Sequence, residues 1–210
     1  MQGATIAGME NQTADLDWAH PLIAEWISTR LGSLTEAQKD WCPKVSSGKS
    51  VLISAPTGSG KTFSTFLVCI DSLVRSGLSA DSANRPAVVY VSPLKALSND
   101  VHRNLEQPLK EIVKLAKDKG LELPAITVAL RTGDTTMPER RAQVTRPPHI
   151  LVTTPESLYI LLTSVKGQAM LSGVNTVIVD EIHALAGNKR GAHLALSLER
   201  LEALVGKPLA

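Results

Sequence analysis

Two hydrophobic periods alternate along the chain and predict its elements. Short apolar runs at 51–53, 87–91, 126–130, 150–153 and 176–179 predict five buried strands. Between them, apolar residues recur at helical spacing. Leu22, Ile23, Trp26 and Ile27 predict a helix stopped near Gly32, and a second begins at Thr35 with Trp41 and Val45 on one face. Phe63, Phe66, Leu67, Ile70, Leu73 and Val74 predict a third that ends at Gly77, before a Ser/Asp/Asn-rich loop over 78–85. Ser92-Pro93 opens the next, with Leu94, Leu97, Val101 and Leu105; it is interrupted at Pro108 and resumes through Ile112, Val113 and Ala116 to Gly120. Short helices follow from Pro138 and Pro155, and a last one carries Leu194, Leu198, Leu201 and Val205. Strands that alternate with helices imply an α/β domain: a parallel sheet with helices on both faces, right-handed crossovers, and ligands at the carboxyl ends of the strands.

Composition narrows this picture only in places. With 210 residues, 43% of them hydrophobic, the chain is long enough for one well-buried domain. Residues 1–17 are polar and aperiodic and are expected to be a leader or disordered segment, with Met9 a candidate natural start; the domain is expected over 18–210. A formal net charge of +2 neither demands nor excludes a polyanionic partner. Aromatic residues make up 3%, so nucleic-acid contacts would work through the backbone, not through stacked bases. Cys42 and Cys69 lack a C-x-x-C spacing and are expected to be reduced thiols. The five histidines show no metal-ligand spacing, and neither a signal peptide nor a membrane span is present, which points to the cytoplasm.

The chemistry concentrates first in Ala55-Pro56-Thr57-Gly58-Ser59-Gly60-Lys61-Thr62, between an expected strand and an expected helix. In that setting loop N–H groups converge on phosphate oxygens at a positive helix end, Lys61 reaches the β- and γ-phosphates, and the Thr62 hydroxyl ligates Mg²⁺. Ala55 replaces the usual first glycine and is small enough to leave the turn feasible. Gly48-Lys49-Ser50 ends in the same letters but precedes the strand, so it is expected to be a turn with a solvated lysine. Gln38 has two readings. Thr35 and Gln38 are spaced as a capping box, and the glutamine amide, with one donor and one acceptor side, also suits an adenine edge.

A second concentration is Asp180-Glu181-Ile182-His183, directly after the strand expected at 176–179. Two carboxylates at the carboxyl edge of a parallel strand suit a metal and a water: Asp180 to hold Mg²⁺, Glu181 to polarise the attacking water. Helix capping is the alternative use of such a pair. His183 alone is weak evidence of catalysis.

These two stretches resemble motifs I and II of superfamily 2 helicases of the DEAD/DEAH type. Further stretches resemble the large helicase-related family, Lhr: His20-Pro21, Ser92-Pro93-Leu94-Lys95-Ala96-Leu97, Arg131-Thr132-Gly133-Asp134-Thr135, Thr153-Thr154-Pro155-Glu156-Ser157-Leu158, and Gly187-Asn188-Lys189-Arg190-Gly191-Ala192-His193. The resemblance covers about 18–205. It implies a RecA-like P-loop domain of an ATP-driven motor that moves on single-stranded DNA or RNA and unwinds duplexes or DNA:RNA hybrids, usually 3′ to 5′. It assigns Gln38 to adenine and Gly58, Gly60, Lys61 and Thr62 to phosphate and Mg²⁺. Lys61, Asp180, Glu181 and His183 become the catalytic set, with His183 a coupler to the other motor half. Pro93, Leu94 and Lys95, then Arg131, Thr132, Gly133 and Asp134, then Thr154, Pro155 and Glu156, line the nucleic-acid path.

Physical chemistry supports that path at Ser92-Pro93 and Thr154-Pro155, where a helix N-terminus after a strand offers free N–H groups to phosphates; plain capping is the alternative. Lys189 and Arg190 fit either a solvated loop or a contact to a neighbouring domain. The resemblance also implies a second RecA-like domain carrying arginine fingers, and the residues that would begin it are not in this sequence. The chain alone is therefore expected to bind nucleotide with little hydrolysis and no unwinding, since an arginine finger contributes ~10³ to 10⁵ in rate. Two other classes stay open. A self-sufficient P-loop NTPase or kinase would draw on Arg131, Arg140, Arg141 or Arg190; a non-catalytic module would use nucleotide for structure only.

Overall fold

The structure, a computed structural model, describes residues 15–56, 58–77, 85–93, 101–123 and 125–209. The chain forms two compact units, 1–77 with 107–124 and 78–106 with 125–210.

The first unit is helical among its described residues. Helix α1 (Pro21–Arg30) starts with proline in its first turn, and the His20 ring accepts from the Leu22 N–H at 3.2 Å. Its buried side is Leu22, Ile23, Trp26 and Ile27. Helix α2 (Glu36–Ser46) is closed by the expected capping box. Helix α3 (Lys61–Ser76) buries Phe66, Leu67, Ile70, Leu73 and Val74, and α4 (Gln107–Asp118) buries Ile112 and Ala116. Asp71 of α3, 1% exposed, accepts from the His20 N–H and from Arg75 Nε at 2.8 Å. That pairing fastens the start of α1 to α3. Trp26 and Arg30 both reach Glu111 of α4, at 3.1 and 3.3 Å.

One expectation fails here. Residues 51–53 form no strand, and Leu52 is 81% exposed. A three-residue apolar run specifies an extended backbone but not a ladder partner, and no strand is described in this unit to supply one. Of the segment expected over 1–17, the described part is 15–17, where Leu16 is buried and Asp15 pairs with Lys39 at 2.8 Å. Residues 1–14 lie outside the described residues, as do the loop over 78–84 and the helix start over 94–100.

The second unit is built on a parallel sheet of four described strands: β1 (Val88–Val91), β2 (Val128–Arg131), β3 (Ile150–Thr153) and β4 (Thr176–Val179), in the order β2-β3-β1-β4. Val91 pairs with Thr153 and Val179, and Arg131 with Thr153, so the four carboxyl ends are level. The central β1 and β3 are buried at every position, whereas edge strand β4 is half-buried throughout; this explains why the former are continuous apolar runs. The second strand sits one to two residues later than the run at 126–130 suggested. Helices α5 (Met137–Thr145), α6 (Pro155–Leu162), α7 (Val165–Leu171), α8 (Ile182–Leu185) and α9 (Lys189–Val205) complete the unit, with a wide helical turn over His102–Glu106. On one sheet face Val89, Val91 and Leu151 join Leu158, Leu161, Leu162, Leu171, Leu194 and Leu201 in a single core.

Candidate functional site

The candidate residues fall in both units. In the first, the loop before α3 turns on Gly58 at φ +82° and Gly60 at φ +77°, a region that favours glycine. Gly60 is the N-cap of this 16-residue helix and has no side chain with which to cap it. Among the described residues the buried Ser59 hydroxyl has no hydrogen-bond partner. Lys61 Nζ folds back onto the Ala55 and Pro56 carbonyls, the latter at 2.9 Å. Thr57 lies outside the described residues.

Two side chains of α2 hold this loop. Gln38 realises its local reading, since its Oε1 accepts from the Thr35 N–H at 2.9 Å and its Nε2 is left 3.5 Å from the Gly60 carbonyl. Trp41 was not singled out by spacing, except as an apolar face. Its indole N–H donates to Ser64 Oγ at 3.1 Å, and that hydroxyl lies 2.9 Å from the Gly60 carbonyl and 3.1 Å from that of Lys61. A Trp three residues beyond the capping glutamine, and a Ser four beyond the last loop glycine, are the only sequence signals of this arrangement.

In the second unit all four strands end in candidate segments. Backbone pairing continues past the strands, from Ser92 N to the Thr153 carbonyl at 3.0 Å and from Asp180 N to that of Val91 at 2.9 Å. The Thr153 hydroxyl bonds the Arg131 carbonyl at 2.8 Å. These bonds hold the turns side by side. Asp180 accepts from the hydroxyl of Tyr90, a buried β1 residue absent from the sequence-based set, and from the Glu181 N–H at 2.8 Å. Glu181 has φ +51°, and among the described residues no other non-glycine has a positive φ. Its side chain caps nothing, and it lies 3.1 Å from His183 Nε2. Of the acidic pair, Glu181 does not cap α8, whereas Asp180 accepts from a backbone N–H of the turn.

The turn after β2 is internally tied. Arg140 donates to the carbonyls of Thr135 at 2.8 Å, Thr132 at 3.1 Å and Gly133 at 3.0 Å. Arg131 is 8% exposed, with its guanidinium on the Arg140 carbonyl and Gln143; burial, with the Arg140 charge beside it, lowers its pKa below the ordinary arginine range. Gly133 and Asp134 are exposed. After β3, Thr154 caps α6 through the Ser157 N–H at 3.3 Å, Pro155 is buried and Glu156 is exposed. Pro93 is buried after β1, and Leu94 and Lys95 lie outside the described residues. Arg190 is exposed but not free, for it pairs with Glu156.

The chain is similar to known proteins in sequence and in fold. A family model described as DEAD/DEAH box helicase matches residues 35–208. ATP-dependent helicase Lhr-Core protein 2 of Thermococcus barophilus is 50% identical over 184 residues, 88% of this chain and 21% of that protein. ATP-dependent helicase Lhr-Core of Methanocaldococcus jannaschii is 51% identical over 179 residues, 85% of this chain and 21% of its own length. The chain thus spans about a fifth of these relatives. The structure of Mycobacterium smegmatis helicase Lhr bound to ssDNA and AMP-PNP matches with a TM-score of 0.84 and 48% identity, over 93% of this chain and 24% of that one. Among the described residues, no helix is long and apolar enough to cross a membrane. The chain belongs to the DEAD/DEAH box helicase family, and its RecA-like motor domain is similar to those of the Lhr helicases.

Proposed function

We propose that the chain binds ATP with Mg²⁺ at the loop before α3 and single-stranded nucleic acid along the carboxyl edge of the sheet, as the ATP-binding part of an ATP-driven helicase. The observation that carries this is the glycine-hinged start of α3: no side-chain cap, Lys61 beside it, and the buried Ser59 hydroxyl lacking a partner. Such a cradle fits phosphate oxygens. The Thr62 hydroxyl in the first unit and the Asp180 carboxylate in the second are each a hard oxygen donor of the kind that would hold Mg²⁺. When bound, the ion neutralises charge on the phosphate oxygens.

The remaining roles belong to the chain's own groups. Lys61 exchanges the Ala55 and Pro56 carbonyls for phosphate oxygens. Tyr90 and the Glu181 N–H orient the Asp180 carboxylate, and Glu181 accepts hydrogen bonds from the attacking water, with His183 at 3.1 Å steadying its carboxylate. Gln38 presents its amide to adenine while it caps α2. On the strand path, the start of α6 and the exposed Gly133-Asp134 turn face phosphates, and Arg131 and Arg140 act by shaping that turn. The likeness to an Lhr structure holding ssDNA and AMP-PNP supports both ligands.

A self-sufficient NTPase is disfavoured because Arg131, Arg140 and Arg190 are each engaged with protein groups, leaving exposed Arg141 from that set. We therefore expect slow turnover by this chain, with the transition-state arginine supplied from elsewhere in a longer protein. The deciding experiment is a titration with a non-hydrolysable ATP analogue and Mg²⁺. Lys61→Ala should weaken binding ~10- to 100-fold, the worth of a charge-assisted hydrogen bond. Equal affinity in the two proteins would remove the reading.

A further inference from the structure

Arg190 lies at the second position of α9, yet it reaches across to two other strand-end segments. Its Nε is 2.6 Å and its Nη2 3.2 Å from the two Glu156 oxygens, and Nη2 is also 3.4 Å from the Pro93 carbonyl. The forked guanidinium is suited to such bidentate pairing. Arg190 holds Glu156 below the usual carboxylate range. The two side chains are 46% and 53% exposed, so the pair adds little to stability. Its value must lie in placement.

The seat of Arg190 is itself built. Asn188 caps α9 through the Gly191 N–H at 3.1 Å and donates to the Ala184 carbonyl of α8 at 2.8 Å. Gly191 packs so closely that a Cβ there would stand 2.1 Å from the Leu185 carbonyl oxygen. The start of α9 is therefore pinned to α8, the helix that leaves the acidic turn at Glu181. Glu156 sits in the first turn of α6, where a helix end favours an anion. Unneutralised, its carboxylate would repel a phosphate that approaches this turn.

We infer that Arg190 is a positioning residue that neutralises Glu156 and holds it beside Pro93, so that the turn into α6 does not repel a single-stranded nucleic acid on the carboxyl edge of the sheet. Arg190 acts through Glu156 and does not bind the strand itself. The inference rests on the strand path proposed above, and its test separates the two.

The test measures binding of a fluorescent oligodeoxythymidylate at two salt concentrations to the wild type, Arg190→Ala, Glu156→Gln and the double variant. Arg190→Ala should weaken binding about threefold to tenfold, a coupling ordinary for paired residues. Glu156→Gln should bind at least as tightly as wild type, and the double variant should bind like Glu156→Gln. Arg190→Lys, which keeps the charge but loses the fork, should fall between, and it serves if Arg190→Ala does not fold. A loss that Glu156→Gln does not repair, with a salt slope shallower by about 0.7, means that Arg190 contacts a phosphate directly and overturns the inference. So does a wild-type affinity in Arg190→Ala. A wild type that binds no strand removes the strand path and this inference together, whereas a wild type that binds with no coupling removes this inference alone.

Discussion

The loop before α3 and the acidic turn before α8 both swing the chain into a helix through left-handed backbone, and they do so with opposite residues. The loop uses Gly58 and Gly60, at φ +82° and +77°. The acidic turn uses Glu181, at φ +51° and ψ +38°. A left-handed residue with a side chain costs about 1 to 2 kcal/mol. On the proposed reading, backbone N–H groups meet the ligand in the loop, where a side chain would only obstruct, and glycine removes the strain. In the acidic turn the proposed working group is a carboxylate, so the strain is retained, and the bond from the Glu181 N–H to Asp180 helps to hold it. Strain without a glycine thus points to a side chain that the site needs.

The sharpest way to break this comparison is to put a side chain where the loop has none. In Gly60→Ala the new Cβ would stand 2.7 Å from Gln38 Nε2, on a backbone at φ +77°. Steric strain and a displaced Gln38 should together lower stability by about 2 kcal/mol and weaken nucleotide binding. Chemical denaturation and an ATP-analogue titration measure the two. Wild-type values in both would mean that the left-handed turn at Gly60 is dispensable.

A smaller effect tests what holds the loop. In Trp41→Phe the ring volume largely remains and the N–H to Ser64 disappears, so Ser64 keeps the Gly60 carbonyl without its own anchor. The loss should be about 1 kcal/mol of stability, the worth of one buried hydrogen bond, with a modest rise in the nucleotide dissociation constant. Unchanged nucleotide affinity with lowered stability would make Trp41 a core residue only, and the loop self-sufficient.

The two regions also differ in how legible they were in the sequence. The glycine-hinged turn into α3 and the acidic turn after β4 were legible because their signals are local: glycines, lysine and threonine within eight positions, two carboxylates after an apolar run. The alternation of β1, β3 and β4 with helices was legible for the same reason. What was missed depends on partners far along the chain. Tyr90 meets Asp180 across 90 positions and Arg190 meets Pro93 across 97, and no local period encodes either. Residues 51–53 failed in the other direction. Their apolar character was visible, but a strand is defined by its neighbour, and none is described in their unit. Helix α7 escaped because it has only seven residues and contains Gly167, too little for a periodic signal.

The smallest effect reaches the core of the comparison, because it asks whether Glu181 is truly strained. If it is, Glu181→Gly relieves the left-handed backbone and should raise stability by roughly 0.5 to 1 kcal/mol, less than the full strain because glycine also gains freedom in the unfolded chain. Glu181→Gln is the necessary partner. It keeps the strained backbone and removes only the charge beside His183, an exposed contact of little energetic weight. Stability should therefore rise in Glu181→Gly and stay level in Glu181→Gln. ATP-analogue binding should persist in both, since Lys61 and the loop amides are untouched. A fall in stability with glycine would mean that the Glu181 side chain makes contacts worth more than the strain it carries. The turn would then be held for packing, and its geometry would no longer argue that the carboxylate is there to act on water.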